Sequence, residues 1–230
     1  RRFISSNVIN TLTKNIELTS STQSLYSLNL IELNQVENKD KSLSKDGYYD
    51  YLQPYKFNKN IQKPFNRRLW LRGSIDINTT YETYNKSLKI TLVESLKEVK
   101  KLRNNAVVTT VREIIDTTNR QVLLTEKRNI FYTDDLYKPA NLHVDTTFDD
   151  FKSDFELNMK PYTSDDIKYF SKLSTNPHHI HLNAKYNHEV EGFPEKLVVQ
   201  GPFLLLKSIN FLTSKLNVKH VSSINYRIKT

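Results

Sequence analysis

A chain of 230 residues, 37% hydrophobic and 26% charged, can build one large domain or two modules of about a hundred residues each. It has no cysteine, which excludes disulfides, thiolate nucleophiles and Cys-ligated metal centres, and no apolar run nears the roughly 20 residues a membrane-spanning helix needs. The net charge of +9 suits an acidic partner such as nucleic acid, anionic lipid, a phosphate-bearing cofactor or an acidic carrier protein; because the basic residues are scattered, a solvated basic face is expected before a nucleic-acid groove.

The first residue is Arg, and RRFISSNVINTLTKN has no acid before Glu17. That composition matches the tail of a mitochondrial transit peptide, with a merely basic N-terminus as the alternative. Within 5–16, Val8, Ile9, Leu12 and Ile16 recur at helical spacing and predict a helix. Residues 19–47 are polar apart from one apolar patch (LYSLNLIEL, 25–33), so a surface-hugging or partly disordered segment is expected there. Aromatics mixed with prolines over 47–66 predict an ordered extended loop.

Strands follow. LWLRGSIDI (69–77) alternates, with Gly73 where a bulge or a close approach fits. Residues 87–101, 105–116 and 121–133 read as a three-stranded antiparallel meander with one packed and one wet face. After a linker at 134–147, a strand is predicted over 153–162 and a helix over 163–174. Thr163 is the expected cap of that helix, with Asp165 and Asp166 in its first turn. PFLLLKSINFLTSKL (202–216) predicts a buried helix whose face Phe203, Leu206, Ile209, Phe211 and Leu212 belongs to the core. KHVSSINYRIK (219–229) alternates as a last strand. One strand after a buried helix leaves an open sheet edge, so further C-terminal strands are expected beyond it.

STNPHHIHLN (174–183) holds His178, His179 and His181 within four positions. His178 and His181 could share a metal if the segment were helical, but Pro177 and the turn-like STNP oppose a helix and no carboxylate lies in the cluster; no metal is expected. Three surface histidines without a role are the bland alternative. The catalytic reading adds Gly201, which opens the apolar helix and offers an orphan N–H able to stabilise a developing oxyanion beside the imidazoles.

FSKLSTNPHHIHLNAKYNHEVEGFPEKLVVQGPFLLL (170–206) resembles the hydratase motif of the MaoC-like, R-specific enoyl hydratase 2 family. Ile180–His181, Gly192–Phe193–Pro194 and Val199–Gln200–Gly201 stand at the places of that family's Ile-His, Gly-Phe-Pro and Val-His-Gly. DGYYDYLQPYKFNKNIQKPFNRRLWLRGSI (46–75) and QVLLTEKRNIFYTDD are similar to a subgroup with two hotdog modules, which includes the fungal mitochondrial 3-hydroxyacyl-thioester dehydratases (type 2). The motif aspartate falls at Asn176, the motif asparagine at His178, and Gln200 replaces a histidine. Asn176 can be neither acid nor base near neutral pH, so proton work is left to His181 and His178.

The resemblance implies an α+β double hotdog: two curved antiparallel sheets, each wrapped on a central helix, with the second module truncated at its C-terminus. It divides the chain into an N-terminal helix and polar segment (1–45), a non-catalytic first module (46–140) and a second module with the hydratase motif (141–230). The central helix of the first module would come from 5–16 or 25–33. The implied activity is cofactor-free, reversible dehydration of (3R)-3-hydroxyacyl thioesters, on acyl carrier protein or CoA, to trans-2-enoyl thioesters in the mitochondrial matrix. His181 and His178 would be acid/base groups, Asn176 would bind the departing water, and Gly201 would hold the thioester oxygen. Arg67, Arg68 and Arg72 would contact carrier or CoA phosphates, with structural salt bridges as their alternative. A non-catalytic acyl-thioester-binding scaffold is the runner-up and a nucleic-acid binder the more distant one. No membrane insertion is expected, and both a monomeric pseudo-dimer and a homodimer are compatible with the chain.

Overall fold

The computed structural model describes residues 11–18, 29–31, 42–50, 53–56, 63–78, 88–137, 160–215, 218 and 221–228. Its strands are β1 (Thr11–Leu18), β2 (Arg67–Ile77), β3 (Leu88–Leu102), β4 (Asn105–Asp116), β5 (Val122–Thr133) and β6 (Ser223–Arg227). They form one six-stranded sheet in the order β1-β3-β4-β5-β2-β6, with every neighbouring pair antiparallel. Period-two burial is clearest in β4, where Ala106, Val108, Thr110, Arg112, Ile114 and Asp116 all turn inward. The meander and β2 lie where alternation placed them. The register of β2 against β5 shifts between Trp70 and Arg72, so the irregularity falls at Leu71. Gly73 is instead a close approach: a Cβ there would strike the Lys127 carbonyl and the Tyr226 ring.

One helix, α1 (Ser164–Leu173), begins with a capping box. Asp166 N donates to Thr163 Oγ1 at 3.1 Å and Thr163 N donates back to Asp166 Oδ2 at 2.9 Å. A single turn, α2 (Ala184–Tyr186), runs on into a wide π-turn over Asn187–Glu191. The long apolar helix α3 (Gly201–Lys215) lays Phe203, Leu206 and Ile209 into the core with Phe170 of α1 and sheet residues Ile75, Ile90, Leu92 and Ile114. Phe170 and Phe203 stack with centroids 4.6 Å apart. Leu212, expected in that core face, is exposed.

A row of charges crosses the buried side of the sheet. Glu94 lies opposite Arg112, and Arg112 opposite Glu126. Arg128 Nε is 2.7 Å from Glu126, which also accepts from Asn29 Nδ2 at 2.8 Å and from the Tyr226 hydroxyl at 3.1 Å. Burial alone would raise the Glu126 carboxyl, but Arg128 and Arg112 override it and hold it below its ordinary range.

Two expectations for the N-terminal third are corrected. Thr11–Leu18 is a strand paired along β3 from Thr11↔Ser95 to Leu18↔Leu88, so helical spacing lost to an open sheet edge; residues 5–10 lie outside the described residues. The 19–47 segment is not merely surface-hugging, because Asn29, Leu30 and Asp46 are all fully buried. Of the strand predicted over 153–162, residues 153–159 lie outside the described residues and 160–162 are irregular. Among the described residues no helix is long and apolar enough to cross a membrane.

Candidate active site

The histidine loop is built by short-range hydrogen bonds. After α1, Thr175 takes a left-handed conformation (φ 46°) and Asn176 N donates to Ser171 O at 2.8 Å. Asn176 Oδ1 accepts from His178 N at 3.1 Å, a side-chain turn that starts the 3₁₀ segment His179–His181. Asn187, fully buried, donates from Nδ2 to Ile180 O at 2.8 Å and to Lys196 O at 2.7 Å, clamping this loop to the irregular segment before α3. The backbone bond Val198 N to Ile180 O, 2.9 Å, continues the join.

The rings of His178 and His181 meet edge to face, centroids 5.4 Å apart, and both residues are buried. His181 Nδ1 is 2.7 Å from Val198 O. A carbonyl oxygen can only accept, so Nδ1 carries the proton and Nε2 keeps its lone pair. Burial pushes both rings below the usual histidine range, His178 to about 3 and His181 to about 4. Both are therefore neutral at pH 7 and able to accept a proton.

His178, His181, Asn176 and Gly201 line one cavity of about 570 Å³, whose apolar wall includes Leu69, Trp70, Ile130 and Phe193. Gly201 is the first residue of α3, where backbone N–H groups lack an intrahelical acceptor. Only glycine fits there, because a Cβ would collide with the Trp70 ring. Gln200 is turned away: its Nε2 donates to Ile167 O at 2.8 Å and to Ser171 Oγ at 2.6 Å, tying α3 to α1. Among the described residues no group of three or more His, Asp or Glu side chains converges as a metal-ligand set.

The three arginines separate. Arg68 also lines the cavity but is buried, with Nε 2.7 Å from Asp46 Oδ2 and Nη1 donating to Tyr49 O at 2.7 Å, an internal ion pair of the kind expected as the alternative to a phosphate contact. Arg67 lines the cavity but is paired with Glu191 and donates to Asp134 O and Val190 O, each at 2.7 Å. Arg72 is exposed on β2 and does not line the cavity. Sequence reasoning missed Asp46, whose Oδ2 lies 3.6 Å from His178 Nε2, and Glu191, which takes the Arg67 pair and the Tyr186 hydroxyl at 2.8 Å. An Asp-Gly pair far upstream carries no local signal of a site.

An antiparallel sheet wrapped on a long apolar helix, with a histidine loop at the helix start, is the α+β hotdog of MaoC-like dehydratases. A MaoC-like dehydratase structure superposes with a TM-score of 0.56 at 10% identity, over 75% of this chain and 62% of that one. Another from Phytophthora capsici gives 0.54 at 10% identity over 96% of this chain and 81% of that one. Full-length peroxisomal multifunctional enzyme type 2 from Drosophila melanogaster gives 0.53 at 14% identity, over 96% of this chain and 41% of that one. The chain thus spans less than two thirds of the first and third of these structures. The sequence model of the hydroxyacyl-thioester dehydratase type 2 family matches residues 29–230, and the chain belongs to that family. It is similar to the mitochondrial hydroxyacyl-thioester dehydratase type 2 of Saccharomyces cerevisiae, 28% identical over 196 residues that cover 81% of this chain and 68% of the yeast one.

Proposed function

We propose that this protein catalyses the reversible dehydration of (3R)-3-hydroxyacyl thioesters to trans-2-enoyl thioesters, on acyl carrier protein or CoA, in mitochondrial type II fatty acid synthesis in the matrix. The observation that carries the reading is that buried His178 and His181 and the helix-start Gly201 line one apolar-walled cavity. The second module, 141–230, supplies the histidine motif, while the non-catalytic 46–140 module contributes wall residues such as Trp70. With Nδ1–H held by Val198, the Nε2 lone pair of His181 takes the C2 proton. The Gly201 N–H holds the thioester oxygen as it gains charge. The C3–O bond then breaks, and the hydroxyl leaves as water with the proton taken from C2, so proton and electron count balance. Asn176, its oxygen already engaged by His178 N, offers its Nδ2 end to the departing hydroxyl.

Arg68, Arg112 and Arg128 are buried in ion pairs with Asp46, Glu94 and Glu126, three charges of each sign, so the basic surplus lies on the other residues and supports an acidic thioester carrier. The test is a dehydration assay with (3R)- and (3S)-3-hydroxybutyryl thioesters on pantetheine, CoA and acyl carrier protein. Turnover of the 3R series alone is expected. Thioester binding without turnover from pH 5 to 9 would instead support the non-catalytic acyl-binding scaffold.

A further inference from the structure

The histidine loop has no carboxylate of its own, but one reaches it from far upstream in the chain. Asp46 comes from the 42–50 loop and is fully buried against His178. Its Oδ1 already accepts from the Ser44 hydroxyl and, at 3.1 Å, from Tyr48 N. Its Oδ2 faces two groups, Arg68 Nε at 2.7 Å and His178 Nε2 at 3.6 Å. The two loops are fastened together independently of that contact. His179 N donates to Asp46 O at 2.8 Å, and Gly47, at φ 80°, lets the His179 ring come so near that a Cβ would be 2.6 Å from it. Burial alone would raise the Asp46 carboxyl, but Arg68 and His178 outweigh it and hold it below its ordinary value, so it is ionised and can only accept.

We propose that Asp46 is the positioning carboxylate of this site: it draws the Nε2–H of His178 toward itself, sets that ring's tautomer opposite to that of His181, and balances the ring's charge whenever it takes a proton. His178 then presents Nδ1 as its lone pair while His181 presents Nε2, so the paired rings offer two differently directed acceptors. The neighbours of His178 divide accordingly. Asp46 favours its imidazolium; Arg68, His181 and His179 oppose it, and the Tyr48 ring stands edge-on with centroids 5.9 Å apart. Asp46 acts through His178 and does not itself meet the substrate.

The proposal rests on the dehydratase reading for its kinetic readout only. In the full chain, Asp46→Asn places an amide N–H₂ where Oδ2 faced His178, because three donors, the Ser44 hydroxyl, Tyr48 N and Arg68 Nη2, keep the amide oxygen at the Oδ1 position against the single Arg68 Nε at Oδ2. Imidazole ¹⁵N spectra at pH 7 are expected to show His178 as the Nε2–H tautomer in the native protein and to lose that signature in the variant. Turnover of a (3R)-3-hydroxyacyl thioester should fall about 10-fold in kcat, the scale of one lost carboxylate–imidazole electrostatic contact, with KM within about twofold. Asp46→Asn strands the Arg68 charge and can cost folding, so Asp46→Asn/Arg68→Gln removes both charges. That double variant is expected to fold and to remain slow. Recovery of native turnover in it would reduce Asp46 to a counterion of Arg68 and overturn the proposal, as would an unchanged His178 tautomer in Asp46→Asn. A native chain with no turnover but with the tautomer change would refute the dehydratase reading and leave the hold of Asp46 on His178 standing.

Discussion

At the scale of single residues, the site depends on groups held uncharged by burial. His181 donates Nδ1–H to Val198 O and is lowered to about 4; His178 is lowered to about 3. Neither ring changes charge between pH 5 and 8, so kcat/KM should be flat across that range, and an inflection near 6.5 would show a solvated histidine doing the chemistry. Stability carries the same signature with a definite sign. Below pH 6.5 the unfolded chain binds protons at both rings while the native one does not, so stability falls as pH drops from about 6.5 toward 4. The loss approaches about 1.4 kcal/mol per pH unit for each ring. Urea midpoints measured at pH 7 and pH 5 check this, and equal midpoints would contradict it. Gly201 answers to sterics: Gly201→Ala drives a methyl into the Trp70 ring and should cost about 1 to 3 kcal/mol in unfolding measurements, together with a drop in turnover.

At the scale of elements, the histidine loop is held by α1 on one side and by Asn187 on the other. Asn187→Ala removes the donors to Ile180 O and Lys196 O and leaves two carbonyls without those partners. A loss of about 1 to 3 kcal/mol and a fall in kcat larger than any change in KM are expected, read from thermal unfolding and steady-state kinetics. Elements whose residues carry their own signal were legible. The Thr163–Asp166 box announced α1, alternation announced β2 to β5, and the apolar run announced α3. His178, His181 and Gly201 were legible as candidates because the motif is compact in sequence. Asp46 was not, since its proximity to His178 is purely tertiary, and Thr11–Leu18 was not, since its strand exists only through the edge of β3. The pairing of Arg68 with Asp46 was not legible, because a charge in sequence does not show its buried partner.

For the whole molecule, the sheet joins residues from both expected modules, with β6 pairing along β2 from Arg72↔Arg227 to Asp76↔Ser223. Trp70 of β2 packs on Tyr226 of β6 at 4.4 Å, and on the α3 start, so sheet, helix and cavity share one wall. The buried charge row ties β3, β4 and β5 through groups that depend on one another for neutralisation. Glu126→Gln leaves Arg112 and Arg128 without their shared counter-charge and should destabilise by about 3 to 5 kcal/mol, seen as a lowered denaturation midpoint with an intact cavity in the remaining folded fraction. The central claim is that the Nε2 lone pair of His181 performs proton transfer on a thioester held in this cavity. The most direct measurement is hydration of a trans-2-enoyl thioester by the native chain and by His181→Gln, with thioester affinity measured in parallel. The account predicts native turnover, a loss of about 10²- to 10⁴-fold in the variant and affinity little changed. Equal turnover in the two proteins would contradict it.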